Sequence, residues 1–308
     1  MKKVLSVALA TALASASLAS VVGASDSHSV SPAHYCIVSL SPSATETLFA
    51  IGAGSNVEAV DTDSNFPVSG LPKTRIDPFN PNAEQIATLC RVNSNHKSPK
   101  PDLVVISYDA NSIKEKLGAL GVPVLLQDAP TNLAGAYGQI TALGMRTGHL
   151  AGANHIVAAL KATIANDVRS VPRHSHKSLT TYYELDPTLY SLTSSTFVGA
   201  LMKMLGVTNI ADSVDQPSDN GYPQLNAEYL ITASPRLVFL ADTVCCHANA
   251  TTFGARAGFS TISAVRYKHI KGLNDDVASR WGPRLGLLMN ELAASVRATL
   301  ADPRPWSK

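Results

Sequence analysis

The stretch Ile37 to Gly52, which reads IVSLSPSATETLFAIG, decides the fold class. Its first four residues predict a short strand that ends at Ser41-Pro42. Ser43 stands three residues before Glu46, which is the spacing of a capping box at the start of a helix. The helix carries apolar residues at helical spacing and ends at the glycine. A strand, a short turn and a helix in this order are typical of α/β proteins.

Strands and helices continue to alternate along the chain, and the pattern restarts at Ser178. Alternation of this kind predicts mainly parallel sheets with helices packed over them. The restart predicts two such α/β lobes. We predict strands at Val57–Val60, Leu103–Ser107, Val122–Gln127, Ser178–Leu185 and Leu237–Asp242, and helices near Ser112–Leu120, Thr196–Leu205, Ile262–Val265 and Pro283–Leu300.

A short internal repeat supports the two lobes. The triplet NAE at residues 82–84 precedes a short predicted helix and the strand start PDLV, and NAE at residues 226–228 precedes a short helix and PRLV. The spacing is longer in the first copy, and the polar segment 90–99, CRVNSNHKSP, accounts for the excess as an inserted loop. We therefore interpret the chain as two related lobes.

A single long helix is predicted between the lobes. Residues 149–171 carry apolar side chains close to the helical period, and Pro172 ends the run. About twenty helical residues span roughly 30 Å, enough to bridge two lobes and to limit their closure. The predicted domains are an N-terminal α/β lobe at 25–148, a linker helix at 149–171 and a C-terminal α/β lobe at 172–308.

The first 24 residues predict a signal peptide. Lys2 and Lys3 precede a run of small and apolar residues without an acid, and Val22-Gly23-Ala24 offers small residues for cleavage. A membrane anchor is the alternative, but Ser and Thr interrupt the run and no stop-transfer charges follow it. We therefore predict an exported protein that is periplasmic or extracytoplasmic after cleavage.

The charge balance argues against nucleic acid as a partner. The chain has 25 basic and 23 acidic residues, and two of the lysines lie in the predicted leader, so the mature chain is near neutral. It also lacks a basic run. A hydrophobic content of 45% fits a packed globular protein.

Four cysteines, Cys36, Cys90, Cys245 and Cys246, allow three pairings in an oxidising compartment. Cys36 with Cys90 is the simplest pairing, because both lie in the first half. A bridge between neighbours is uncommon, so we interpret Cys245 and Cys246 as a buried or reduced pair. The chain has no CxxC motif, which disfavours redox catalysis and a cysteine zinc site.

Several short motifs along the chain, taken together, are typical of one protein family. With residues 37–52 they are NFP at 65–67, NPNAE at 80–84, PDLV at 101–104, YPQ at 222–224, NAE at 226–228 and WGPR at 281–284. Together they resemble the class III periplasmic-binding proteins, the vitamin B12 and ferric siderophore receptors of ABC importers. The resemblance implies two lobes joined by one long helix, a metal chelate in the cleft between them, and a membrane permease dimer that receives it from a monomeric receptor.

Ligands of such sheets sit beyond the carboxyl ends of the strands, which places Ser43 and the free amides at its helix start beside the ligand. Helix capping alone is an equally good interpretation of Ser43. Asp242, after a predicted strand, would add negative charge if it faced the cleft. A large planar or chelated ligand suits aromatic walls and an arginine. The resemblance implies that these ligand-binding residues are Phe66, Tyr108, Tyr190, Tyr222 and Arg280.

The resemblance also implies a docking role for Glu84 and Glu228. In the family, one glutamate on each lobe meets arginines of the two-fold transporter. Two separated carboxylates would fix the orientation of the complex and speed the encounter. The alternative is that both are solvated acids that favour a helix dipole.

Tryptophan content bears on the ligand. B12-binding members use more tryptophan in the cleft, whereas Trp281 and Trp306 are the only two here. We therefore favour a ferric siderophore slightly over cobalamin. The alternatives are a haem receptor, with Tyr108 or Tyr190 as the axial ligand, and a direct zinc or manganese receptor.

A soft metal at Cys245, Cys246 and His247 is a further alternative to a chelate. The sequence has no GxSxG, GxxxxGK or HExxH motif. We therefore predict a receptor that is not an enzyme and that holds no resident cofactor.

Overall fold

Two parallel β-sheets, one in each half of the chain, organise the structure. The computed structural model describes residues 35–93, 96–172 and 179–304. The predicted signal peptide at 1–24 lies outside the described residues. No helix among those described is long and apolar enough to cross a membrane.

The first half builds a five-stranded sheet in the order β3-β2-β1-β4-β5. Every pairing in this sheet is parallel. The elements are β1 (Ile37–Leu40), α1 (Pro42–Ala50), β2 (Val57–Asp61), β3 (Thr74–Ile76), α2 (Ala83–Ile86), β4 (Leu103–Ile106), α3 (Ile113–Ala119), β5 (Val124–Leu126), α4 (Leu133–Arg146) and α5 (Leu150–Ser170).

The second half builds a four-stranded parallel sheet in the order β7-β6-β8-β9. With α5 between the two sheets along the chain, this arrangement confirms the predicted fold class. The elements are β6 (Thr180–Glu184), α6 (Phe197–Met204), β7 (Thr208–Asn209), α7 (Ala227–Ala233), β8 (Leu237–Leu240), α8 (Ala250–Gly254), α9 (Ser263–Tyr267), β9 (Ile270–Gly272), α10 (Asp275–Ser279) and α11 (Leu285–Leu300).

The long helix α5 packs against both halves. Leu160 and Ile164 of α5 share one hydrophobic cluster with Leu143 of α4 and with Leu288 and Leu292 of α11. The described residues belong to one compact unit. The boundaries of the two lobes at 148 and 172 stay a prediction.

The predicted capping box at the start of α1 is wrong. Ser41 is the N-cap, and its hydroxyl accepts a hydrogen bond from the amide of Ala44 at 3.3 Å. Pro42 occupies the first turn, where a missing N–H is harmless. Glu46 is therefore not needed at the helix start, and its buried carboxylate bonds two arginines of the second half instead.

The cysteines form two pairs. Cys36 and Cys90 are buried and bonded, as the simplest pairing predicted, and the bridge ties the start of β1 to the segment between α2 and β4. Cys245 and Cys246 are bonded to each other and lie exposed on the loop after β8, so their interpretation as a buried or reduced pair is wrong.

Candidate functional site

The candidate site is a pair of adjoining chambers at the carboxyl ends of the strands. Such ends collect ligand-binding loops in parallel sheets. The loops that follow β1, β4, β6 and β8 all contribute to the walls. Ser279 at the end of α10, with Arg280 and Trp281 just after it, lines both chambers and separates them.

The larger chamber, which we call the apolar chamber, has a volume of about 400 Å³. Most of its wall comes from the second half, and Ala129 and Pro130 close it from the first half. Leucines and aromatic rings dominate the wall, as is usual for small-molecule sites. They include Tyr183, Leu185, Leu192, Phe197, Tyr222, Trp281 and Leu288.

The smaller chamber, which we call the polar chamber, has a volume of about 240 Å³ and lies between the halves. Ser41 and Ser43 line it from α1, and Ser107 lines it from the end of β4. Asp63 and Asp276 add carboxylates on opposite sides. The structure thus brings two residues of the predicted site, Ser43 and Arg280, to one chamber.

Arg280 is buried and already holds protein partners. Its Nη1 donates to Oε1 of Glu46 and to Oδ1 of Asn65, each at 2.8 Å. Its Nη2 donates to Oδ1 of Asp276 at 2.6 Å and to the carbonyl oxygen of Asp63 at 3.0 Å. The guanidinium is therefore committed to joining the two halves rather than free for an anion.

Arg284 completes the same junction. Its Nε donates to Oε2 of Glu46 at 2.8 Å, so the one buried carboxylate bonds two arginines. The Arg284 guanidinium also lies 4.4 Å from the centre of the Phe66 ring, within the range of a cation–π contact. Phe66, a residue of the predicted site, is thereby fixed against the junction.

Gly282 lies where the second half meets the start of α1. A Cβ atom built at Gly282 would lie 3.2 Å from the carbonyl oxygen of Ser43 and 3.5 Å from Oγ1 of Thr47. A side chain there would require the start of α1 to yield by a few tenths of an ångström. The WGPR motif therefore places a glycine where the second half touches the first.

The predicted tyrosines occupy different places. Tyr222 lines the apolar chamber, and its loop pairs with that of Tyr190 through an isolated bridge between Tyr190 and Gln224. Tyr108 is exposed and lies 6.3 Å from Phe79, measured between ring centres. Neither Tyr108 nor Tyr190 contributes to the walls of the two chambers.

Asp242 is completely buried and lies outside both chamber walls. Neither of its carboxyl oxygens has a hydrogen-bond partner among the described residues. Burial, with the nearby Glu184, raises the pKa of the Asp242 carboxyl to about 6. Glu184 itself is held by Arg256 through two hydrogen bonds of 2.7 Å.

The loop after β8 is anchored by Asp275. The Asp275 carboxylate accepts from the hydroxyl of Thr243 at 3.1 Å and from the amides of Val244 and Cys245 at 3.0 and 2.8 Å. Cys245 and Asp275 both line the apolar chamber. The bonded cysteine pair is thus held at the wall by the Asp275 carboxylate.

The two NAE triplets occupy equivalent positions. Asn82 caps α2 by accepting from the amide of Gln85 at 2.7 Å, and Asn226 caps α7 by accepting from the amide of Tyr229 at 2.8 Å. Glu84 and Glu228 therefore stand at the same position in the first turn of each helix, and both are exposed. This equivalence fits the internal repeat.

Sequence reasoning missed several wall residues. The sequence identifies Trp281 only as part of a motif. It does not show that Tyr183, in a predicted strand, or Phe197, in a predicted helix, lines a cavity. Glu46 was assigned to a cap, because nothing local distinguishes a capping acid from a buried one. Among the described residues, no cluster of three or more His, Cys, Asp or Glu side chains could hold a metal ion.

Comparisons with known proteins agree with this architecture. The family model described as periplasmic binding protein matches residues 37–277. Relatives include an uncharacterized ABC transporter substrate-binding lipoprotein of Bacillus subtilis, YvrC, 28% identical over 84% of this chain and 79% of its own length. A vitamin B12-binding protein of Yersinia pestis is 24% identical over 86% of this chain and 89% of its own.

Two solved structures share the fold. The periplasmic vitamin B12-binding protein BtuF of Vibrio cholerae superposes with a TM-score of 0.69 at 23% identity, covering 88% of this chain and 99% of its own. The haem-binding protein RhuT of Roseiflexus gives a TM-score of 0.71 at 22% identity, covering 86% and 98%. The match to the family model extends over most of the chain, and the chain therefore belongs to the periplasmic binding protein family.

Proposed function

We propose that the chain is the exported substrate-binding protein of an ABC importer and that it captures a metal chelate in the cleft between its halves. Membership of the periplasmic binding protein family supports a binding role without catalysis. The vitamin B12-binding and ABC transporter relatives support a chelate as the cargo and a permease dimer as the partner. The receptor works as a monomer in this proposal.

The cargo we propose is a bulky chelate with little net charge, of which a corrinoid is the nearest example. The observation that carries this choice is the engagement of Arg280 and Arg284 by Glu46. An acidic ferric siderophore needs free cations in the cleft, and both arginines here are neutralised inside the protein. The apolar chamber beside them favours uncharged surface instead. This reverses the slight preference for a ferric chelate that the tryptophan content suggested.

A titration panel tests the proposal. Trp281 lines both chambers, so its emission should report a bound ligand, and Trp306→Phe removes the other tryptophan. The panel contains cyanocobalamin, a ferric hydroxamate, a ferric catecholate and haemin, each confirmed by calorimetry. We expect cyanocobalamin to bind most tightly, with little change between about 50 and 500 mM salt, over which the Debye length falls roughly threefold.

Two outcomes would contradict the proposed cargo. Binding of the catecholate alone, weakening steeply with salt, would indicate that the arginines are released for an anion. Haemin binding with a visible spectrum of tyrosine-ligated iron would favour Tyr108 or Tyr190 as an axial ligand. Lack of binding to any member of the panel would contradict the receptor role itself.

We also propose that Glu84 and Glu228 dock the protein on the permease. Their matched positions at the starts of α2 and α7 support this role, because a two-fold partner needs the same charge twice. Exposed carboxylates of this kind steer and orient a complex more than they add affinity.

A further inference from the structure

Cys245 and Cys246 form a disulfide between neighbouring residues on the loop after β8. Both residues are exposed, whereas the bonded Cys36 and Cys90 are only 5% and 4% exposed. A thiolate from solution can reach an exposed disulfide directly, but it reaches a buried one only after the fold opens locally. The chain therefore carries one protected bridge and one bridge that a reductant can attack.

The two bridges also differ in what they contribute to stability. Cys36 and Cys90 are 54 positions apart, and a bridge of that span stabilises a fold by restricting the unfolded chain. The bond between Cys245 and Cys246 encloses no intervening residue, so it removes little freedom from the unfolded chain. The second bond therefore acts locally in its own loop and adds little to the stability of the whole fold.

Hydrogen bonds hold the backbone of this loop independently of the sulphur atoms. The Asp275 carboxylate accepts from the amides of Val244 and Cys245 at 3.0 and 2.8 Å. The carbonyl oxygen of Asp242 accepts from the amide of Cys246 at 3.2 Å. None of these contacts involves a sulphur atom, so the loop can keep its place when the disulfide opens.

The same loop contributes to the apolar chamber, because Cys245 lines its wall. While the bond is closed, the two cysteine side chains are joined to each other, and neither can change its rotamer alone. Opening the bond leaves two thiol side chains that rotate freely. A ligand that packs against this part of the wall must then order them, which lowers its affinity.

We propose that Cys245 and Cys246 form a thiol–disulfide exchange site that adjusts the ligand affinity of the apolar chamber, with a dithiol as the reductant. The closed bond gives the tighter binding form, and the opened pair gives the weaker one. The closed form is the resting state of an exported chain, because oxidising compartments preserve disulfides. The effect on cargo rests on the proposed function of the cleft, whereas the exchange itself does not.

The exchange proceeds in two steps. A thiolate of the reductant attacks one of the two sulphur atoms, the S–S bond breaks, and the departing sulphur takes a proton from water. The second thiol of the reductant loses its proton and attacks the mixed disulfide, which releases and protonates the other cysteine. The reductant leaves as a disulfide, and the protein has gained two electrons and two protons.

Differential alkylation tests the site without any ligand. The oxidised mature protein is treated with dithiothreitol for increasing times and quenched with N-ethylmaleimide, and each cysteine is quantified by peptide mass spectrometry. We expect Cys245 and Cys246 to be labelled at least about tenfold faster than Cys36 and Cys90, because the buried pair must wait for local opening. Reduced thioredoxin, tested in parallel, distinguishes a protein dithiol from a small one, and opening by either supports the site.

Nile red, an uncharged fluorescent dye, tests the effect on the apolar chamber. Its dissociation constant is measured with and without dithiothreitol for the wild type and for the double variant Cys245→Ser with Cys246→Ser. We expect reduction to weaken dye binding to the wild type about threefold, the cost of ordering one additional side chain. The double variant should bind as weakly as the reduced wild type and should not respond to dithiothreitol, which excludes an effect of the buried bridge.

Three results would overturn the exchange site: equal labelling rates for all four cysteines, a dye affinity that reduction leaves unchanged, or an equal response to dithiothreitol in the double variant. A cyanocobalamin titration of the oxidised wild type and the double variant separates this failure from that of the proposed function. Cobalamin binding of equal strength to both proteins would remove the exchange site and keep the receptor. Selective exchange and a dye response with no cobalamin bound would keep the site and remove the proposed cargo.

Discussion

Glu46 and Asp242 are both buried acids at the ends of strands or starts of helices, and their surroundings differ completely. Glu46 joins the two halves and accepts hydrogen bonds from two arginines. Asp242 lies inside the second half, and its carboxyl oxygens have no partner among the described residues. A buried carboxyl group is tolerated either by pairing with cations or by holding its proton. The first solution makes a rigid joint, and the second makes stability depend on pH.

The largest effect is expected at the paired acid. Glu46→Ala leaves the buried Arg280 and the partly buried Arg284 without their shared carboxylate, which should lower the free energy of unfolding by about 3–5 kcal/mol. Urea denaturation monitored by circular dichroism measures this loss. Glu58→Ala is the control, because Glu58 pairs with the exposed Arg91 at 3.5 Å and its loss should cost less than about 1 kcal/mol. Equal losses in the two variants would show that the junction adds no stability.

Replacing Asp242, the buried acid without a hydrogen-bond partner among the described residues, should raise stability rather than lower it. Asp242 has a folded pKa of about 6, above its value in the unfolded chain, so its contribution to stability is complete below about pH 4 and is lost as pH rises through 6. Asp242→Asn removes the charge that becomes unfavourable. The variant should therefore be more stable than the wild type by about 3 kcal/mol at pH 7.5 and nearly equal to it at pH 4.

Thermal unfolding at pH 4, 5, 6 and 7.5 measures this difference. Asp128→Asn, at an exposed acid, is the control and should leave the pH profile of the wild type unchanged. If Asp242→Asn were less stable at pH 7.5, the carboxylate would have a favourable partner, and the contrast with Glu46 would disappear.

A smaller loss of stability is expected when Phe66, whose ring lies against Arg284, is replaced. Phe66→Leu keeps apolar contact but removes the cation–π interaction with Arg284, so the free energy of unfolding should fall by about 0.5–1 kcal/mol. Phe79→Leu is the matched control, because Phe79 is exposed and its recorded ring contact is to Tyr108. A greater loss for Phe79→Leu would contradict a contribution of Phe66 to the junction.

Exposed acids should have no effect on stability at all. Glu84→Ala combined with Glu228→Ala should leave the melting temperature and ligand affinity unchanged, and should reduce transfer of ligand to the importer in proteoliposomes. Glu115→Ala with Asp128→Ala removes the same charge from exposed positions and should transfer ligand normally. Loss of ligand affinity in the first double variant would refute the docking role.

The sequence predicted the central strands well because most of their residues are apolar, β-branched or aromatic, as buried parallel strands require. The strands β1, β2, β4, β6 and β8 all lie where the pattern placed them. It missed the edge strands β3, β7 and β9, which are two or three residues long and partly polar. It also missed α4, whose three glycines (Gly135, Gly138 and Gly144) weaken the helical pattern.

The site was harder to predict because partners across the two halves are distant in sequence. Arg280 and Glu46 are separated by 234 positions, so no local pattern pairs them. Arg280 read as a free cleft arginine for that reason. Trp281 and Tyr222 could be found through short motifs, whereas Tyr183 has no motif and is distinguished only by the cavity beside it.

The bridge between Cys36 and Cys90 has a mechanical consequence. Cys36 is the residue immediately before β1, the central strand of its sheet. Tension applied to the chain from its amino-terminal side reaches this cysteine first and is transmitted through sulphur to the segment ahead of β4. The load is then shared by two neighbouring strands in the sheet, so β1 cannot be peeled out alone while the crosslink is intact.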